Sequence, residues 1–204
     1  MARLSSETPV RELRTSRRSL TGRVTLGDGG AAVFESSLER DWLLALDFDH
    51  RVQAIQVQPF SLQYQHEGAT RRYTPDVRAD YAQGSCVTTM VYEVKPSEEL
   101  QANWSAYRPR FKAAVRYCRD HGWRFKLVTE RHIRTALLDN ARFLRRYRAL
   151  PDQDLYVQQL LYTLRALGTT TPQALLAAAY WSEESRMAAL PMLWKLIATR
   201  RLGA

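Results

Sequence analysis

The segment RRYTPDVRADYAQGSCVTTMVYEVKPSEEL, residues 71–100, contains three charged residues whose types suit metal-dependent chemistry. Asp76 follows a proline, and Glu93 and Lys95 lie two residues apart in a run whose composition is typical of a strand. Side chains two residues apart point to the same face of a strand. Charged groups are seldom buried unless they are paired or bind something. This face is therefore either exposed to solvent or a functional site.

The same segment predicts a β-hairpin, because two extended runs flank a short stretch of turn residues. With a two-residue loop at Gln83 and Gly84, Asp76 lies opposite Val91 and shares a face with Glu93. The two acidic residues are then diagonal neighbours, roughly 7 Å apart. A register slip of one residue would move Asp76 to the other face, so the predicted site depends on the register.

Two carboxylates at that distance can share a divalent cation. Hard oxygen ligands suit Mg²⁺ or Mn²⁺, which usually keep several waters and also bind substrate phosphates. Such an ion lowers the pKa of a bound water and stabilises charge during displacement at a phosphodiester. An ammonium group on the same face, from Lys95, could position that water or offset developing negative charge. The chemistry indicated is hydrolysis of a nucleic acid, with a solvated strand face as the alternative.

A Pro-Asp pair followed 17 residues later by Glu-x-Lys resembles the PD-(D/E)xK nuclease motif. More specifically, residues 33–132 resemble the TnsA family, the endonuclease subunit of heteromeric bacterial transposases. The stretches that carry this resemblance are VFESSLERDWLLALDFD, VQAIQVQPFSLQY, TPDV and YEVKPSEEL. The resemblance implies a restriction-endonuclease-like α/β core with a mixed β-sheet flanked by helices.

The resemblance also implies roles for individual residues. Glu39 matches the helix glutamate, Asp76 the central metal-binding aspartate, and Glu93 the position that is Glu or Gln. Lys95 matches the lysine of the motif. Glu35, one helical turn before Glu39, is the rival for the helix position. Gln58 is assigned either to a supporting position at the floor of the site or to a structural turn.

The family further implies a substrate and partners. The expected reaction is Mg²⁺- or Mn²⁺-dependent cleavage of double-stranded DNA at the 5′ strands of transposon ends. A TnsB-like transposase of the DDE type would process the 3′ strands, and a TnsC-like AAA+ ATPase would regulate the complex. Two alternatives remain: a non-catalytic DNA-binding or assembly subunit with vestigial acidic residues, and another nuclease of the same fold that acts in restriction or repair.

Composition and charge are compatible with a DNA partner. The formal net charge is +9 and the isoelectric point is about 9.9, and a basic protein gains affinity for nucleic acid by releasing condensed counterions. Two widely spaced cysteines and four scattered histidines match neither a disulfide framework nor a zinc site. No run approaches the roughly 18 apolar residues of a membrane span, so we expect a cytoplasmic protein without membrane contact.

Basic residues in two predicted helices are candidates for contacts with DNA phosphates, and a solvated helix face is the alternative for the first of these two sets. The first set lies in the helix that follows the motif, and the second lies near the end of the chain. They are Arg108, Arg110, Lys112 and Arg116, and Lys195, Arg200 and Arg201.

The order of predicted elements is helix, strands, helix, strand, helix, and then three short helices. Residues 1–32 lack periodicity and are interpreted as a basic N-terminal arm or loops. Residues 33–148 are assigned to the nuclease domain, in which a helical crossover makes two of the strands parallel. Residues 149–204 resemble a small helix-turn-helix or winged-helix domain, with a simple helical cap as the alternative.

Overall fold

The computed structural model describes residues 3–4, 21–27, 29–84 and 86–202. Most of the predicted basic arm, residues 1–32, lies outside this range. The part of it that is described contains short strands, and the assignment of residues 1–32 to a basic arm stays a prediction. Strand β1 (Arg3–Leu4) precedes an antiparallel hairpin of β2 (Gly22–Thr25) and β3 (Ala31–Phe34). These strands are too short for the alternation of apolar and polar residues to be visible in the sequence.

Helix α1 (Ser37–Phe48) follows this hairpin. The Ser36 side chain caps the helix by accepting a hydrogen bond from the backbone N–H of Glu39, which satisfies one of the free donors of the first turn. Apolar residues such as Leu43 and Leu46 are almost fully buried. The first helix in the predicted order is therefore present, and it fixes Glu39 in its first turn.

A five-stranded sheet forms the centre of the N-terminal unit. After β1 its strands are β4 (Val52–Val57), β7 (Val77–Gln83), β8 (Cys86–Val94) and β9 (Arg124–Val128), in the order β1-β4-β7-β8-β9. The β4–β7 and β7–β8 pairs are antiparallel, whereas β1–β4 and β8–β9 are parallel. The sheet is therefore mixed, as predicted.

Strands β5 (Leu62–His66) and β6 (Ala69–Tyr73) form a separate antiparallel hairpin. Its buried residues Leu62 and Tyr73 pack with Phe111 and Ala114, which belong to the crossover helix described next. This small apolar cluster holds the hairpin against the helix.

The crossover between β8 and β9 consists of α2 (Ser97–Ala102) and α3 (Trp104–Asp120). Helix α3 continues through Pro109, although a proline inside a helix usually kinks or ends it. The two helices instead divide at Asn103. Two further helices, α4 (Glu130–Ile133) and α5 (Ala136–Arg148), follow β9. The crossover makes β8 and β9 parallel, as the sequence predicts.

The contacts divide the chain into Met1–Asp139 and Asn140–Ala204. The second unit contains the end of α5 and helices α6 (Asp154–Leu167), α7 (Pro172–Ala179) and α8 (Glu183–Ala198), and α8 continues through Pro191. Between residues 140 and 202 the structure has no strand, so the winged-helix assignment is not confirmed. The predicted domain limits stay predictions. No helix in the described ranges has the length and hydropathy of a membrane span.

Candidate active site

Asp76 lies where the pairing of β7 with β8 ends. Its Oδ2 accepts a hydrogen bond of 2.7 Å from the backbone N–H of Val94, and its own N–H donates to the Tyr92 carbonyl at 3.1 Å. The carboxylate therefore takes the place that a backbone carbonyl would have if the ladder continued. This contact fixes Asp76 at the end of the hairpin.

The register of the hairpin differs from the predicted one by two residues. Gln83 pairs with Cys86 and Val77 pairs with Tyr92, so the prediction that Gln83 belongs to the loop is wrong. A shift of two residues leaves every side chain on its original face. Asp76 precedes the Val77 pair and Glu93 follows it, so the two acidic residues lie across from each other rather than on a diagonal.

Lys95 lies between these two carboxylates. Its Nζ is 3.3 Å from Glu93 Oε1 and 3.7 Å from Asp76 Oδ2, and it donates a hydrogen bond of 3.2 Å to the Val94 carbonyl. Burial disfavours the charged amine, but the carboxylates of Asp76, Glu93 and Glu39 outweigh burial and raise the pKa of Lys95. The lysine is therefore a charged ammonium group at neutral pH.

Glu39 contributes a third carboxylate from the first turn of α1. Its Oε2 accepts a hydrogen bond of 2.8 Å from the Glu35 backbone N–H, and its Oε1 accepts one of 3.0 Å from the Ser36 hydroxyl. Burial, and secondly the charge of Asp76, raise the pKa of Glu39 to about 7. Helix α1 thus brings Glu39 into the electrostatic field of Asp76 and Lys95.

Glu35 and Gln58 lie together beside this group. Gln58 Nε2 donates a hydrogen bond of 3.3 Å to Glu35 Oε1, and the Gln58 backbone N–H donates to the Asp76 carbonyl at 2.8 Å. Gln58 has a φ of 47°, which is uncommon for a residue other than glycine. Its Oε1 is buried without a hydrogen-bond partner among the described residues. The backbone of Gln58 thus positions Asp76, and its side chain leaves an acceptor oxygen free.

Glu93 is held by two residues whose contacts with it the sequence did not predict. The Tyr73 hydroxyl donates a hydrogen bond of 2.7 Å to Oε2, and Arg110 Nη2 lies 3.3 Å from Oε1. Glu93 is only 2% exposed. Burial, and secondly the charge of Asp76, raise its pKa to about 7. The Arg110 guanidinium also lies over the Tyr107 ring, 3.9 Å from its centroid.

The periodicity of the helix could have indicated that Arg110 points away from Arg108. It was grouped with Arg108 as a contact for DNA phosphates, but two residues in a helix are about 200° apart around the axis. The two side chains must therefore point to different sides of α3. Tyr73 lies in a different hairpin from Glu93, and no sequence spacing relates the two residues.

The remaining candidates for DNA contact belong to α3 and to the C-terminal unit. Arg108, Lys112 and Arg116 are exposed along α3. In the C-terminal unit, Lys195 Nζ lies 2.5 Å from Asp152 Oδ1, and Arg201 donates a hydrogen bond of 2.8 Å to Asp152 Oδ2. These two contacts anchor the segment before α6 to the end of the chain. Arg200 has a φ of 59° just after α8, and DNA binding by this second set stays a prediction.

The chemistry of the donor set fits a hard divalent cation. Among the described residues, the three carboxylates lie near two basic groups, Lys95 and Arg110, and burial beside another carboxylate raises the pKa of Glu39 and Glu93 to about 7. An added cation would relieve this repulsion, and carboxylate oxygens are the ligands that Mg²⁺ and Mn²⁺ prefer. In the described ranges, however, no three His, Cys, Asp or Glu side chains are already grouped as a metal site. In this arrangement Lys95 provides the positive charge between Asp76 and Glu93.

A mixed sheet flanked by helices, with an acidic pair and a lysine at the end of its central hairpin, is consistent with a restriction-endonuclease-like core. Residues 49–130 match the family model described as TnsA-like endonuclease N terminal. This match confirms the resemblance seen in the sequence and supports a TnsA-type endonuclease. It includes Asp76, Glu93 and Lys95, whereas Glu39 precedes it. No curated protein sequence significantly matches the chain.

Proposed function

We propose that this protein is a divalent-metal-dependent DNA endonuclease that cleaves the 5′ strands at transposon ends. The observation that carries the proposal is the position of Lys95 Nζ, 3.3 Å from Glu93 and 3.7 Å from Asp76, within a TnsA-like domain. A partly buried ammonium group between two carboxylates, at the end of a hairpin, suits metal-assisted phosphodiester hydrolysis.

Asp76 and Glu93, together with Glu39, would hold the cation, which would be Mg²⁺ or Mn²⁺. When bound, such an ion polarises the scissile phosphate and lowers the pKa of water. The Lys95 ammonium group would offset the negative charge that develops on the reacting phosphate. Tyr73 and Arg110 fix the two oxygens of Glu93, so that its carboxylate is oriented before substrate binds.

The proposed partners are those of heteromeric transposases. A DDE transposase of the TnsB type would process the 3′ strands, and an AAA+ ATPase of the TnsC type would regulate the assembly. The support for this proposal is the TnsA-like domain at residues 49–130. On this proposal the enzyme works in the compartment that contains the chromosome, which in a bacterium is the cytoplasm.

Nicking of a supercoiled plasmid that carries the transposon ends tests this proposal. Asp76→Asn keeps an oxygen that can accept the Val94 hydrogen bond but removes the charge, so it should abolish Mg²⁺-dependent nicking and leave DNA affinity intact or slightly raised. Asp76→Ala should have the same effect on nicking. The exposed Asp120→Ala is the matched control and should cleave like the unmodified protein.

The assay should be run with and without the partner transposase, because a subunit that depends on its partner would mimic an inactive enzyme when it is tested alone. Cleavage that persists in Asp76→Asn, or that never appears with the complete complex and metal, would show that the nuclease assignment is wrong. In the second case the chain would be a non-catalytic subunit of the assembly.

A further inference from the structure

A groove of about 710 Å³ lies between the β5–β6 hairpin and α3. Leu62 and Tyr73 from the hairpin pack against Phe111 and Ala114 of the helix, and this contact forms the base that joins the two walls. The groove is thus built from two elements of one unit that share an apolar cluster. None of the three carboxylates of the candidate active site lines it.

One wall of the groove is basic. Arg108, Lys112 and Arg116 follow one another at intervals of four residues, so they lie on one side of α3 about 6 Å apart along its axis. All three are exposed. None of these side chains forms an ion pair or hydrogen bond with another residue in the described part of the chain. Like charges at this spacing repel each other, so an anionic partner would stabilise the row.

The opposite wall supplies neutral polar groups. Gln63, Gln65 and Thr70 from the hairpin line the groove, and Ser105 joins them from the start of α3. Side-chain amides and hydroxyls, together with arginine and lysine, make most of the hydrogen bonds that proteins form with phosphate oxygens. The centre of a protein interface is instead apolar and poor in charged residues. The composition of the groove therefore favours a nucleic acid over an acidic protein segment.

The same helix connects the groove to the candidate active site. Arg110 lies between Arg108 and Lys112 in the sequence but points to the other side, where its Nη2 is 3.3 Å from Glu93 Oε1. A DNA strand that follows the outer side of α3 would therefore run along the helix that supports the catalytic carboxylate.

We propose that the groove between the β5–β6 hairpin and α3 binds the phosphate backbone of DNA next to the cleavage point. The proposal rests on the proposed function for its ligand, but it concerns a different set of residues. It assigns Arg108, Lys112 and Arg116 to phosphate contacts that position the duplex without reading its sequence.

The salt dependence of DNA binding tests this assignment. The probe is a short fluorescent duplex of arbitrary sequence, titrated with the full chain in the presence of a chelator so that no cleavage occurs. The slope here is the steepness with which log K falls as log salt rises, and each lost phosphate contact lowers this steepness by about 0.9. The triple variant Arg108→Ala, Lys112→Ala and Arg116→Ala should therefore lower the slope by about 2.7. Its loss of affinity between about 50 and 200 mM salt should be about 40-fold smaller than that of the unmodified protein.

A matched control removes the same charge elsewhere. Arg119, Arg131 and Arg134 are exposed and do not line the groove, so replacing all three with alanine should leave the slope within about one of the original value. A charge-conserving variant, Arg108→Lys with Arg116→Lys, should retain the slope and guards against a folding defect in the alanine variant.

The proposal is overturned if the groove variant keeps the slope of the unmodified protein, if the control lowers it equally, or if the unmodified chain does not bind the duplex. An unchanged slope would indicate that the groove binds an acidic protein segment rather than DNA. This test is independent of the nuclease assignment. A protein that cleaves DNA but keeps its slope in the groove variant refutes only the groove, whereas an inactive protein with a lowered slope refutes only the nuclease.

Discussion

Tyr73, at the end of β6, donates a hydrogen bond of 2.7 Å to Oε2 of Glu93, near the end of β8. Both residues are buried, with 6% and 2% of their surfaces exposed. With Arg110 on the other oxygen, neither oxygen of this carboxylate lacks a donor. A buried charge is tolerated only when it is paired and hydrogen-bonded. Tyr73 therefore acts as a positioning residue for the proposed metal ligand.

Replacing Tyr73 with phenylalanine should lower the cleavage rate about tenfold or more, as is typical when a partner of a metal ligand is removed. The hydrogen bond from Tyr73 lowers the pKa of Glu93, so its loss should raise that pKa and move the rate profile to higher pH. DNA affinity should not change. Tyr81→Phe is the matched control, because it removes a hydroxyl that contacts Tyr92 instead. Equal pH profiles for the two variants would refute this role.

Arg110 offers a direct comparison with its neighbour Arg108. Arg110→Met should lower the cleavage rate because Glu93 loses a charged partner, but it should leave the salt slope of DNA binding unchanged. Arg108→Met should do the reverse and lower the slope by about 0.9 with a smaller effect on cleavage at low salt. The two quantities can be measured on the same proteins. A lower slope for Arg110→Met would restore the original assignment of this residue to DNA phosphates.

The sequence predicted the parts of the site that depend on local spacing. Glu93 and Lys95 share a face because strand residues alternate, and Asp76 kept its face because the register error was two residues rather than one. The contact of Tyr73 with Glu93 could not be predicted, because it joins two hairpins through tertiary packing. The ion pairs of Lys195 and Arg201 could not be predicted either, because their shared partner Asp152 lies more than forty residues away in the sequence.

Substitutions can distinguish Glu39 from Glu35 as the carboxylate that this part of the chain contributes to the site. Glu39 feels the charges of Asp76 and Lys95, whereas the Glu35 carboxylate accepts a hydrogen bond from Gln58. Glu39→Gln should therefore lower the cleavage rate by at least about a hundredfold, a loss of roughly 3 kcal/mol in transition-state stabilisation. Glu35→Gln should lower it less than tenfold, because an amide can still interact with Gln58. A larger loss in Glu35→Gln would reverse the assignment.

The raised pKa of Glu39 also has a consequence for stability in the absence of metal. The value rises from 4.5 to about 7 on folding, so the folded state binds the proton more tightly than the unfolded state. The resulting contribution to the free energy of unfolding is fully present below pH 4.5 and is lost as the pH rises through about 7. Its upper limit is about 3 kcal/mol. Glu93 changes in the same direction.

Urea unfolding of the metal-free protein between pH 5 and 8 measures this effect. The unmodified protein should lose stability as the pH rises, and Glu39→Gln should lose less, because its amide does not titrate. Groups common to both proteins cancel in the difference, and the exposed Glu98→Gln should follow the unmodified curve. Mn²⁺ should stabilise the unmodified protein most at pH 8, where the carboxylates are ionised and repel each other. Parallel curves for the unmodified protein and Glu39→Gln would show that Glu39 does not bind this proton.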